Sequence, residues 1–199
     1  DLDTGEMMFY LYLPVKMAGS NDFRVPDRLN FINEILTKVN DDCLSSMPDY
    51  LDHYVYATVK TLWVEGGFSG NRPGWHADGY GSNGDKNYLW YDMNPTEFAE
   101  QVFRDISDDD FQSMIDMENQ IDESKIVVYP CKTLLKLDES VVHRVNPVIN
   151  KGVRTFVKIS VSKHQFNLKG NSRNYLFDYD WSFHNRQEVR NMDNKDHVK

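Results

Sequence analysis

The chain has 199 residues, a formal net charge of −9, and 40% hydrophobic and 13% aromatic residues. That length fits one domain with a substantial core, and the acidity argues against phosphate-backbone binding as the main role, which needs clustered Lys and Arg. The two cysteines, Cys43 and Cys131, are too few for a disulfide framework and read as reduced thiols. With no apolar run near the ~18 residues of a membrane span and no signal-peptide pattern, the expected location is the cytoplasm.

Residues 7–15 (MMFYLYLPV) read as a strand, with Pro14 marking its end or a sheet edge. Residues 26–40 carry Leu29, Ile32, Ile35, Leu36 and Val39 on one helical face and read as a helix packed on a sheet. Residues 54–65 (YVYATVKTLWVE) are β-branched and aromatic and read as a long strand. Residues 66–74 form a flexible loop, and Gly79, Gly81 and Gly84 mark a second glycine-rich loop. Residues 87–92 read as another strand, and 94–98 (NPTEF) as a turn into a short helix. The acidic stretch 105–123 reads as a surface helix or a partly ordered insert, with a role as a lid left open.

Four short strands are then expected at 125–129, 133–137, 141–145 and 153–161, separated by Pro130, Asp138-Glu139-Ser140 and Asn146-Pro147. Short strands at this spacing point to a sandwich or barrel. Residues 175–183 (YLFDYDWSF) are an aromatic island that can pack back on the body, and the charged tail from Asn185 is expected to fray. The whole is expected to be mostly β with flanking helices. One domain would span 1–199, with its core at 54–162, an N-terminal flank at 1–53 and an extension at 163–199.

The chemistry concentrates at His76-Ala77-Asp78, His143 and Arg154. Residues i and i+2 of a strand share a face, so His76 and Asp78 can aim at one point. Alternation puts Val141, His143 and Val145 on one face of a later strand. Two imidazoles and a carboxylate form one face of an octahedral site, the triad that holds non-haem Fe(II) and leaves positions open. In residues 153–161, one face carries Arg154, Phe156, Lys158 and Ser160, and the other is apolar or β-branched. Arg154 offers a fork that pairs with a carboxylate. Lys158 would assist it or pair with an acidic residue.

The ordered set His76-x-Asp78, His143, Arg154 resembles the Fe(II)/2-oxoglutarate-dependent dioxygenase superfamily over residues 54–162. The resemblance implies a double-stranded β-helix, a jelly roll of the cupin-like barrel type. It further implies Fe(II) held by His76, Asp78 and His143, and 2-oxoglutarate anchored by Arg154. The implied reaction is a hydroxylation in which O₂ and the oxo acid are consumed, yielding succinate and CO₂. Many members carry a hydroxyl two residues after the arginine; Phe156 stands there, so Tyr88 is the candidate for that contact. Trp75, Tyr80, Trp90 and Arg72 are candidates for substrate contact because they flank the metal motif. His53, His164, His184 and His197 lack partners at ligand spacing. The expected partner is a small molecule or a protein side chain, with nucleic acid disfavoured by the acidity. The alternative is a metal-binding protein or non-oxidative enzyme on the same barrel.

Overall fold

The computed structural model describes residues 2, 4–80 and 84–186. Gly81, His197 and the tail from residue 187 lie outside the described residues. Among the described residues nine strands form two antiparallel sheets. The strands are β1 (Met8–Lys16), β2 (Tyr54–Val64), β3 (His76–Ala77), β4 (Lys86–Tyr91), β5 (Thr96–Ala99), β6 (Ile126–Val128), β7 (Leu135–Asp138), β8 (Val142–Val145) and β9 (Gly152–Ser162). The larger sheet runs β1-β2-β9-β4-β7 and the smaller β3-β8-β5-β6. From β2 onward the chain passes from one sheet to the other at nearly every connection. Only β5 and β6 follow each other within a sheet, and the intervening residues include the helix α2 (Asp110–Gln120).

The register of β2 against β9 is continuous, from Tyr54 opposite Ser162 to Val64 opposite Gly152. Both faces of this pair are covered. The outer face, with Val55, Ala57 and Val59 on β2 and Val157, Ile159 and Val161 on β9, packs against the helix α1 (Asn33–Ser46) and the 3-10 turn Asp27–Ile32 before it. Leu29, Ile32, Ile35, Leu36 and Val39 are all buried there, as helical spacing predicts. The smaller sheet has its own outer cover, with Trp75, Ala99 and Val142 packed against Met117 of α2. Asp109 caps α2 by accepting the Phe111 and Gln112 amides.

One of the larger sheet's two edge strands is β1, which suits Pro14. The aromatic island does pack back: Trp181 meets the Tyr54 ring edge-on at 5.4 Å, and Arg24 lies 5.0 Å above Phe177. Residues 94–98 differ from expectation. They hold the strand β5, not a helix, because Phe98 pairs with His143 on one side and Val127 on the other. Sheet pairing overrides the helix-start signal of the Asn-Pro-Thr-Glu run. No helix among the described residues is long and apolar enough to cross a membrane.

Ile159 is fully buried at the centre of the larger sheet against α1. Ile159→Ala is expected to destabilise the fold by about 2–5 kcal/mol in denaturant unfolding. A loss below 1 kcal/mol would mean that α1 does not seal this face.

Candidate metal centre

Two adjacent strands of the smaller sheet set the site. β3 pairs with β8 so that His76 stands opposite His143, with ring centroids 4.7 Å apart. Asp78 follows β3 in a turn instead of continuing it. The ligating atoms of His76, Asp78 and His143 all lie within 4.8 Å of one another. Among the described residues this is the one group of three or more His, Cys, Asp or Glu side chains that could hold an ion. His53, His164 and His184 are not part of it.

Each imidazole is oriented by the carbonyl two residues before it. His76 Nδ1 meets Gly74 O at 2.8 Å, and His143 Nδ1 meets Val141 O at 3.0 Å. A carbonyl only accepts, so each neutral ring keeps its proton on Nδ1 and offers the Nε2 lone pair. This is the usual support for a metal-binding histidine. Gly74 adopts φ +83°, and a Cβ there would stand 2.9 Å from Met114 Cε. Glycine therefore lets the loop turn close under α2 and place that carbonyl.

Asp78 is tied to the larger sheet. Its Oδ2 accepts from Lys158 Nζ at 2.9 Å and lies 3.6 Å from His143 Nε2. Burial works against the carboxylate, but the Lys158 ammonium and the two imidazoles overcome it and hold its pKa well below the usual range. Burial likewise works against the Lys158 ammonium, yet Asp78 and Tyr12 hold it above its ordinary value. Lys158 also donates to the Tyr12 hydroxyl at 3.1 Å. Tyr12 sits at φ +48°, where the β1–β2 register breaks between Tyr10 and Leu13. This is rare for an aromatic residue. It is braced by Tyr12 N donating to Thr58 Oγ1 and by Ser172 bonding both ways with Leu11.

The triad opens into a cavity of about 900 Å³ between the sheets, at the upper end of ligand-pocket sizes. Its walls come from β2, β9, the 71–80 loop, the N-terminal end of α2 and residues 165–171. The acidic stretch thus contributes a wall, through Asp108 to Asp110, Ser113 and Met114.

Of the candidate substrate contacts, Arg72 and Tyr80 line this cavity. Trp75, Trp90 and Tyr88 do not. Trp75 is buried on the outer face of the smaller sheet, where Arg144 lies 4.5 Å above its ring. Trp90 and Tyr88 face α1, because alternation along β4 turns Leu89 inward and its neighbours outward. The Tyr88 hydroxyl donates to Asp42 on α1, so it does not supply the contact that Phe156 lacks. Arg154 is buried and donates Nε to Met93 O at 2.9 Å and Nη2 to Asn94 O at 3.3 Å. Burial brings its pKa down to about 10. It does not line the cavity. Tyr12 and Lys60 do, although the sequence motif points to neither. Inward alternation along β2, through Thr58 and Lys60, was a usable signal for Lys60. Tyr12 had none, since its orientation depends on the register break.

The two imidazoles also predict a pH response. Burial lowers both pKa values, with His76 down to about 4 as the His143 ring adds to the effect. The metal-free folded state therefore takes up these protons less readily than the unfolded chain. Stability is fully present above the unfolded value of about 6.5 and is lost as pH falls toward 4. The thermal midpoint of metal-free protein should drop between about pH 7 and pH 5, and less so in a His76→Gln, His143→Gln double variant. Equal drops in the two proteins would assign the effect elsewhere.

Comparison with protein-family models, curated proteins and solved structures finds no match to this chain.

Proposed function

We propose that this chain is an Fe(II)- and 2-oxoglutarate-dependent oxygenase on a double-stranded β-helix. The observation that carries the reading is the triad itself. His76 and His143 face each other across β3 and β8 with Nε2 free, and Asp78 stands beside them at one end of a large cavity. The donor set fits Fe(II): two neutral nitrogens and one carboxylate, with the cavity leaving room for further ligands. The alternation of β2 to β9 between two facing sheets supports the jelly-roll reading.

Bound Fe(II), with O₂ and the oxo acid, would supply the oxidation of a C–H bond of the substrate, the oxo acid leaving as succinate and CO₂. The chain's own residues hold and shield. The carbonyls of Gly74 and Val141 fix the imidazole tautomers. Lys158 donates to Asp78 and holds the carboxylate beside the imidazoles. Leu89, Phe156 and Phe166 give the cavity apolar walls that keep water from the reacting centre. Arg72 and Tyr80, both exposed at the rim, are positioned to meet substrate.

One observation favours a second reading, a metal-binding protein of the same architecture without oxo acid turnover. Arg154, the expected anchor for the oxo acid, is engaged with backbone carbonyls.

The test is iron retention and turnover. His76→Ala and Asp78→Ala are each expected to lose stoichiometric Fe(II) after desalting, together with any O₂-dependent conversion of 2-oxoglutarate to succinate. Unchanged iron affinity in a His76→Ala, His143→Ala double variant would sink the site assignment.

A further inference from the structure

Resting on the oxygenase reading, we propose that Lys60, not Arg154, receives the distal carboxylate of the oxo acid. Three cations project from the inner face of the β2–β9 pair, and two are already engaged. Lys158 is paired with Asp78. Arg154 is satisfied by Met93 and Asn94. Its guanidinium lies 5.2 Å from the Phe156 ring centroid, and Phe156, not Arg154, lines the cavity. The aromatic ring that replaces the expected hydroxyl thus stands where an anion would approach the arginine.

Lys60 lines the cavity, and its contacts are neutral. Nζ donates to Gly70 O at 2.8 Å and to Asn71 Oδ1 at 3.1 Å. An ammonium has three N–H donors, so one remains. Among the described residues no carboxylate lies within ion-pair distance of it. Lys60 stands opposite Phe156, two residues along β2 from Thr58, which stands opposite Lys158. That spacing is about 7 Å, so an anion on Lys60 would lie one sheet repeat from the row that reaches the triad. The Phe9 and Phe156 rings flank the ammonium at 5.5 and 5.8 Å. Burial, with Lys158 and Arg154 nearby, brings the Lys60 pKa down to about 8, and the more distant Asp78 carboxylate offsets this only in part. Among the described residues the remaining cavity cations are Arg72, which is exposed, and Arg186, which is half-buried and bonds to Asn171. The far wall carries Asp108, Asp109 and Asp110, which disfavour an anion there.

The experiment is anaerobic titration of the Fe(II)-loaded full chain with 2-oxoglutarate and, separately, with 2-oxobutyrate, which lacks the distal carboxylate. The visible charge-transfer band of the iron chelate reports binding. Lys60→Met is expected to weaken 2-oxoglutarate by about 10- to 100-fold, the loss of one charge-assisted contact, and to leave 2-oxobutyrate unchanged. Lys60→Arg should recover most of the loss. Equal weakening of both acids would overturn the proposal, since Lys60 would then act only by holding the 66–74 loop. So would weakening of 2-oxoglutarate in Arg154→Met but not in Lys60→Met. A wild-type protein that binds iron and gives no band would overturn the oxygenase reading itself.

Discussion

Strand β9 is buried on both faces, and one of those faces carries two cations. A buried ammonium or guanidinium without compensation is too costly to keep. The fold around β9 is therefore organised to supply negative or polar partners at defined points. At Arg154 the partners are two carbonyls from the 93–94 turn. Asn94 adopts φ +51° in that turn, and its side chain bonds residue 150 on both its donor and acceptor sides. At Lys158 the partner is the carboxylate of Asp78, from the other sheet. This ion pair ties the larger sheet to the turn after β3 inside the cavity. Its removal from one side leaves the other charge buried, so the contact fixes where the 76–78 segment can lie.

The site chemistry follows from that constraint. Burial keeps the two imidazoles neutral against the pull of the Asp78 carboxylate, with the neighbouring ring adding to it at His76 and Lys158 at His143. Neutral imidazoles with Nδ1–H committed to backbone carbonyls are ready to donate Nε2 to a cation. The geometry of the group is thus set by hydrogen bonds local to the β3 and β8 strands, and by one charge borrowed from β9.

The cavity is built from segments distant in the chain. The register break in β1 turns Tyr12 inward onto Lys158, and residues 165–172 brace it by bonding to Leu11 and by stacking Phe166 on Tyr56, with ring centroids 4.4 Å apart. The α2 end closes the opposite side, with Met114 against Gly74. The interior is consequently polarised, cationic along the larger sheet and acidic along the α2 wall.

Local pattern alone determined much of this. The helical face of residues 29–39, the alternation in β2, β8 and β9, and the inward aim of His143 all follow from side-chain periods of 3.6 and 2. The triad residues were legible as a set, but strand alternation accounts only for His143: Asp78 lies in the turn after β3 and reaches the imidazoles through that turn and its pairing with Lys158. What periodicity cannot supply is which strand lies beside which, or what a charge meets once inside. β5 became a strand only because β6 and β8 flank it. Tyr88 and Trp90 turned to α1 because the register of β4 against β9 put Leu89 on the inner face. Arg154 and Lys158 share one face of one strand, yet one meets carbonyls and the other meets Asp78. That difference depends on turns and on a partner sheet 60 to 80 residues away in sequence. Long-range pairing decided it, because a buried charge takes whatever partner the tertiary structure brings within reach.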